Sequence, residues 1–332
     1  MGLDEKIKVA RLSVVSNTLL TAGKLGVGLA MNSVAVISEA LHSGLDLLAA
    51  LIAYASVRQS SRPADAEHNY GHGKFENVAA IIEALLIVAA GLVIVWHAIP
   101  KLLGAREVHH LGLGMAVMGC SAVVNLLISS LLMRTARRTE SPALEADAWH
   151  LRTDVLTSAG VFGAMLAIQL TGWHILDPLI ALVVSLFIFK AAFDLLRGSW
   201  GSIVDARLPD EEEEVIRRVL ESYAGEFVQF HDLRTRRAGP DRHIDCHLVV
   251  PGYRPIAQVH RLCDAIEEDI RRQLAGAQVL IHTEPCRPGT RDCHVCRVHV
   301  ALADPAQERR CEECRACTGS QEKTSPRGSG NS

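Results

Sequence analysis

The sequence predicts an α-helical membrane protein of six spanning helices with a soluble α+β domain at its C-terminal side, and three observations lead there. Of the 332 residues, 49% are hydrophobic, and up to Trp200 they gather in apolar runs of roughly 20 residues, the length a helix needs to cross a bilayer. After Asp205 the chain turns charged and its apolar residues follow short periodic patterns. Lys and Arg cluster at alternate ends of the apolar runs, as retention of basic loops on the cytoplasmic side requires.

The six spans are expected over residues 9–30, 34–58, 75–98, 111–133, 144–170 and 175–196. Lys6, Lys8 and Arg11 precede or open the first span. Arg58, Arg62 and Lys74 lie between the second and third, and Arg134, Arg137 and Arg138 between the fourth and fifth. The connections at 31–33 and 171–174 carry no basic residue, while Lys101 and Arg106 are a smaller exception between the third and fourth spans. Both termini are therefore expected in the cytoplasm. No cleavable signal peptide is expected, because the first apolar run follows a polar start and has no small-residue cleavage pattern.

Beyond Pro209 the pattern reads helix, strand, strand, helix, strand. An acidic start at 210–214 complements a helix dipole and leads into Val215, Ile216, Val219 and Leu220. A strand-like run at 227–236 and a turn at Gly239 and Pro240 precede a second strand, in which Ile244, Cys246, Leu248 and Val250 alternate with their neighbours. Helical spacing returns over 256–274, and 278–282 is a last apolar strand. Two helices over a three-stranded sheet, an αββαβ ferredoxin-like arrangement, make a small domain whose core gains from dimerisation.

Within the apolar runs four side chains stand out: His42 and Asp46 in the second span, His150 and Asp154 in the fifth. An ionisable group at mid-membrane costs roughly 2.5–3.5 kcal/mol on insertion scales, so such residues face a cavity, a partner or an ion. Spacing of four residues puts each pair on one helix face. If the two faces meet, two imidazoles and two carboxylates form the nitrogen and oxygen shell that tetrahedral zinc accepts. Of nine cysteines, Cys286, Cys293, Cys296, Cys311, Cys314 and Cys317 crowd toward the C-terminus, where a cytoplasmic location favours reduced thiols. Cys120 in its span, and Cys246 and Cys263 in the soluble domain, read as packing residues.

These marks resemble the cation diffusion facilitator family, in its bacterial zinc and iron efflux branch, over residues 5–287. The motifs are His42-x3-Asp46, the loop PADAEHNYGHGK at 63–74, His150-x3-Asp154, HDLRTR at 231–236 and IHTEP at 281–285. The resemblance implies a transmembrane cation-transport domain over 1–206 and a cytoplasmic dimerisation and metal-binding domain over 207–287; a Cys-rich tail over 288–332 departs from the common family length. It implies that His42, Asp46, His150 and Asp154 form the transport site, and that Asp65, His68 and His72 form a second site in the loop. In the soluble domain His231, His247, His260, His282 and Glu284 match a metal pair at the dimer interface. The last ligand is an aspartate in the family and a glutamate here, one methylene longer. Lys74 matches the partner of an acidic residue beyond the sixth span, here Asp205.

The tail adds Cys293-x2-Cys296, His299 and Cys311-x2-Cys314-x2-Cys317, thiol spacings suited to zinc or copper(I). The expected activity is efflux of a divalent cation from the cytoplasm across a bacterial inner membrane in exchange for protons, by a homodimer without a nucleic-acid partner. Histidine and aspartate on both helices favour Zn²⁺ over hard ions, with Fe²⁺, Co²⁺, Ni²⁺ and Cd²⁺ as alternative cargoes. A metalloprotease would need a general base such as the Glu of HExxH, which the chain lacks. A sensor or scaffold that binds zinc without moving it is the other alternative.

Overall fold

Apolar runs in water-free surroundings must satisfy their own backbone, and they do so as six long helices in the computed structural model, which describes residues 2–30, 34–103, 113–173, 175–252 and 254–286. These are α1 (Gly2–Ala30), α2 (Val34–Ser60), α3 (Lys74–Leu103), α4 (Leu113–Thr139), α5 (Pro142–Thr171) and α6 (Leu176–Ile203). Several run past the apolar stretch that announces them. In α1 the helix starts at Gly2, and Asp4 and Glu5 sit in its first turn, where negative charge suits the dipole. The edges of α5 are written in its residues: Ser141 is the N-cap and accepts the Leu144 N–H, Pro142 follows, and Gly172 closes the helix at φ 71° with its N–H on the Ile168 carbonyl.

Among the described residues five helices are long and apolar enough to cross a membrane, and α5 is the exception. Its first half carries Glu145, Asp147, His150, Arg152 and Asp154. The physical resolution is its place in the bundle: α5 packs against α2, α3, α4 and α6, so Asp147 and His150 are buried and Arg152 and Asp154 half-buried, while Glu145, in the first turn, is exposed. By contrast only 17% of the most apolar stretch of α6 and 22% of that of α1 is buried within the protein, leaving wide apolar surfaces for acyl chains. Cys120, expected as a packing residue, is exposed on α4. Close helix contact is made at glycines: a Cβ on Gly91 would come within 2.8 Å of Phe189, and one on Gly160 within 2.8 Å of Val184 Cγ2.

The chain divides into two compact units, the helical one and a unit of mixed α and β structure. The second is built from α7 (Asp210–Ser222), β1 (Gln229–Ala238), β2 (Asp241–Val250), α8 (Ile256–Gln273) and β3 (Ala277–Pro285). Its sheet has the order β1-β2-β3, and β2 and β3 run parallel with α8 as their crossover. The alternation read along β2 holds in part: Ile244, Leu248 and Val250 pack with Ile216, Val219 and Leu220 of α7 and Val259, Leu262, Ile266 and Ile270 of α8, and Cys246 is buried too, but Val249, in the opposite phase, is also buried, as are Arg242 and His243. The acidic start of α7 does more than complement a dipole. Glu212 takes two hydrogen bonds from the buried Arg242, at 2.8 and 2.9 Å, and Glu213 accepts from Thr235 at 2.8 Å.

Candidate metal centres

Spacing of four residues sets His42 and Asp46 on one face of α2 and His150 and Asp154 on one face of α5, and the packing of the two helices turns these faces together. The contacts cross between helices: His150 Nε2 lies 3.3 Å from Asp46 Oδ1, and His42 Nε2 lies 3.9 Å from Asp154 Oδ1. Ligand atoms of His42, Asp46 and Asp154 all lie within 4.8 Å of one another. His150 touches this group through Asp46. Asp46 and His150 are buried, Asp154 is partly buried and the His42 side chain is 47% exposed, so the group is open on one side. His150 Nδ1 and Asp154 Oδ2 have no hydrogen-bond partner among the described residues, which leaves donor atoms unspent in a buried setting. An oxygen and nitrogen set of this kind fits a borderline divalent ion.

The loop between α2 and α3 folds around Asp65. Its Oδ1 accepts the backbone N–H groups of Glu67 and His68 at 3.0 and 2.7 Å, an Asx turn that points the rest of the carboxylate at two imidazoles. The His68 N–H, aided by that of Glu67 and by the imidazoles of His72 and His68, holds this carboxyl below the usual aspartate range against the opposing effect of desolvation. His68 Nδ1 lies 3.5 Å from Oδ1 and His72 Nε2 3.3 Å from Oδ2. Phe75 stacks against His72 and meets His68 edge-on, both at 5.8 Å, and Gly71, at φ 82°, makes the bend that brings His72 back. The ligand atoms of Asp65, His68 and His72 lie within 4.8 Å of one another, leaving room for a fourth ligand.

In the second unit the strand register supplies the site. His247 on β2 pairs with His282 on β3, and Glu284 stands two residues further, on the same face. Glu284 Oε1 is 2.9 Å from His247 Nδ1 and 3.9 Å from His282 Nε2, while Oε2 is 3.8 Å from His231 Nε2 on β1. One carboxylate thus lies within 4 Å of imidazoles from all three strands. His260 is not brought to them. It sits on α8, exposed, 3.7 Å from Asp264, and joins none of the three-ligand groups among the described residues.

Lys74 and Asp205 form a 2.8 Å ion pair, and Lys74 also donates to the Ile203 carbonyl, so the start of α3 is tied to the end of α6. Lys74 is about a third exposed and Asp205 about half, so solvent screens the pair and it contributes little stability. Cys293, Cys296, His299, Cys311, Cys314 and Cys317 lie outside the described residues. In the helical unit four buried ionisable residues escaped the sequence reading: Lys24, Glu76, Glu83 and Asp147. Lys24 of α1 donates to Ser43, next to His42, at 2.7 Å, and its ammonium is within electrostatic reach of Asp154. The rule that singled out His42, a charge inside an apolar run, applies equally to them.

Comparison with known proteins agrees with this layout. Residues 10–204 match the model of the cation efflux transmembrane domain, and residues 208–286 match that of the cation efflux protein cytoplasmic domain, a dimerisation module. An uncharacterized transporter of Synechocystis, sll1263, is 37% identical over 82% of this chain and 88% of its own length. The cation-efflux pump FieF of Escherichia fergusonii is 34% identical over 76% of this chain and 84% of its own. FieF of Citrobacter koseri is 32% identical, covering 84% and 92% respectively. The solved structure of CzrB in its zinc form is 45% identical over a stretch covering 24% of this chain and 90% of that one, at a TM-score of 0.23. The chain is a multi-pass membrane protein of the cation diffusion facilitator family, a cation efflux transporter and not an enzyme.

Proposed function

We propose that the protein exports Zn²⁺ from the cytoplasm in exchange for protons, with both termini on the cytoplasmic side. The observation that carries this reading is the pair of cross-helix contacts, His42 with Asp154 and Asp46 with His150, between two helices of the bundle. Imidazole nitrogen moves the site's preference away from hard ions and toward zinc, with Fe²⁺, Co²⁺, Ni²⁺ and Cd²⁺ as the neighbouring cargoes. The relatives from Escherichia and Citrobacter are cation-efflux pumps, which agrees with export of such an ion.

The chemistry of exchange follows from the ligands. Metal binding needs neutral imidazole and ionised carboxylate, so zinc and protons compete for the same atoms. In the cytoplasm-facing state zinc displaces protons, and in the opposite state protons displace zinc, while helices rock around fixed ligands. His42, the exposed member, is the first to meet an entering ion, and the buried Asp46 and His150 hold the far side. Asp65, His68 and His72 form a loop site on the cytoplasmic face. His231, His247, His282 and Glu284 take metal in the dimerisation domain, whose filling biases transport to the extent that its affinity differs between states.

Uptake of Zn²⁺ into inside-out vesicles, with a panel of the other divalent ions and with or without an imposed pH gradient, tests the reading. Native protein should accumulate zinc faster when the vesicle interior is acidic, and Asp154→Ala should fall to the level of empty vesicles. Equal uptake by the variant would remove the site assignment, and indifference to the gradient would remove the proton exchange.

A further inference from the structure

Glu76 and Glu83 stand seven residues apart on α3, two turns along one face, and both are fully buried. Glu76 is provided for: Lys6 of α1 and Ser60 of α2 donate to Oε1 at 3.3 and 2.5 Å, and Ser141 donates to Oε2. Glu83 is not. Neither of its carboxylate oxygens has a hydrogen-bond partner among the described residues. Asp147 on α5 is equally buried, its two oxygens equally lack partners, and the two carboxylates are close enough to repel each other.

The groups acting on Asp147 are Ser13 of α1, whose hydroxyl lies beside it outside hydrogen-bond geometry, Asp46 of α2 and His150 of its own helix. The group acting on Glu83 is Asp147. No ammonium or guanidinium is among them. Two ionised carboxylates in such a place would carry both desolvation and mutual repulsion, with only the Ser13 hydroxyl and the His150 imidazole, both acting on Asp147, to set against them. One proton held by the pair removes a charge and gives one carboxyl a donor in place of an unpartnered oxygen.

We propose that Glu83 and Asp147 together bind one proton, as a carboxylic acid and carboxylate pair bridging α3 and α5. A metal ion is the less suitable occupant, because no imidazole completes the pair and neither residue belongs to a three-ligand group among the described residues. Asp147 precedes His150 by three residues and Asp154 by seven, on one face of α5, so the proton sits about one turn from the candidate metal ligands. α3 contributes none of those ligands. A shift of α3 against α5 between transport states would separate or join the two carboxylates, and so release or capture the proton. In this role, which rests on the exchange reading above, one counter-proton travels outside the metal ligands.

The test is infrared spectroscopy of the full chain in lipid at neutral pH, in H₂O and D₂O. Native protein should show the C=O band of a protonated carboxylic acid, shifted by deuterium. Glu83→Gln and Asp147→Asn should each remove it, and Asp154→Ala should retain it. Absence of the band in native protein, or its loss in Asp154→Ala with persistence in Glu83→Gln, overturns the proposal. In proteoliposomes the protons moved per zinc should fall by about one in Glu83→Gln. Loss of the band with an unchanged ratio would keep the shared proton and overturn its part in exchange. Zinc binding to the same preparations reports on the His and Asp site separately, so failure of the metal assignment is distinguishable.

Discussion

Replacing Glu76 by Gln removes the charge at the point where α1, α2, α3 and the N-cap of α5 meet. Three donors converge on this carboxylate: the Lys6 ammonium at 3.3 Å, the Ser60 hydroxyl at 2.5 Å and the Ser141 hydroxyl. Gln offers one neutral oxygen, and its NH₂ group, itself a donor, replaces the second acceptor. Lys6, only 4% exposed, is left as a buried cation without a counter-charge. Breaking a buried pair by removing one partner costs about 3–5 kcal/mol, a large share of the stability of a typical domain. Lys6→Met leaves the carboxylate with its two hydroxyl donors and should cost less, about 1.5–3 kcal/mol, the value of a hydrogen bond to a charged group. The double variant removes both charges, so its loss should fall short of the sum by about 1–3 kcal/mol. Reversible unfolding in mixed micelles measures all three. Glu76→Gln within about 1 kcal/mol of native, or strict additivity in the double variant, would refute the buried tie.

Other outcomes follow from single contacts. Gly160→Ala should lose about 1–3 kcal/mol, because the new methyl lands 2.8 Å from Val184 Cγ2 on a side chain stiff at χ1, whereas Gly163→Ala, with nothing within 4 Å, should be neutral in the same unfolding assay. Burial pushes the Cys246 thiol from near 9 up to about 12, so native protein at pH 8 should resist alkylation there and react once unfolded, as peptide mapping would show. The sign for stability is that of a raised pKa: the contribution of the neutral thiol is complete below pH 9 and is lost as pH climbs toward 12. Glu284→Ala, which takes away the carboxylate touching His231, His247 and His282, should weaken zinc binding by the soluble domain more than about tenfold, or 1.4 kcal/mol, in equilibrium titration of a protein also carrying Asp154→Ala and His72→Ala. Unchanged affinity would place the metal elsewhere.

Much of this was readable in one dimension because bilayer and sheet impose regular patterns on residues. Hydrocarbon thickness sets the length of an apolar run, so the helices were visible before any fold was known, and the two-residue period of β2 marked the side chains packed against the helices, though not Val249 and His243, which are buried in the opposite phase. α5 was legible for a different reason. Its polar residues spoil its apolarity, yet the spacing of His150 and Asp154 matches that of His42 and Asp46 and marks a shared task. The fate of His260 was not legible, since its place depends on how α8 is rotated over the sheet.

What the residues settle alone is local: where helices start and stop, which side chains share a face, and which donor types are available to an ion. What they leave to the tertiary structure is every relation between elements. That α2 meets α5 with His42 open and Asp46 enclosed, that Glu284 reaches three strands, and that Glu76 finds three donors while Glu83 finds another acid are all outcomes of packing. The reason is that desolvation and Coulomb energy depend on distances across the bundle, and no spacing along the chain specifies these.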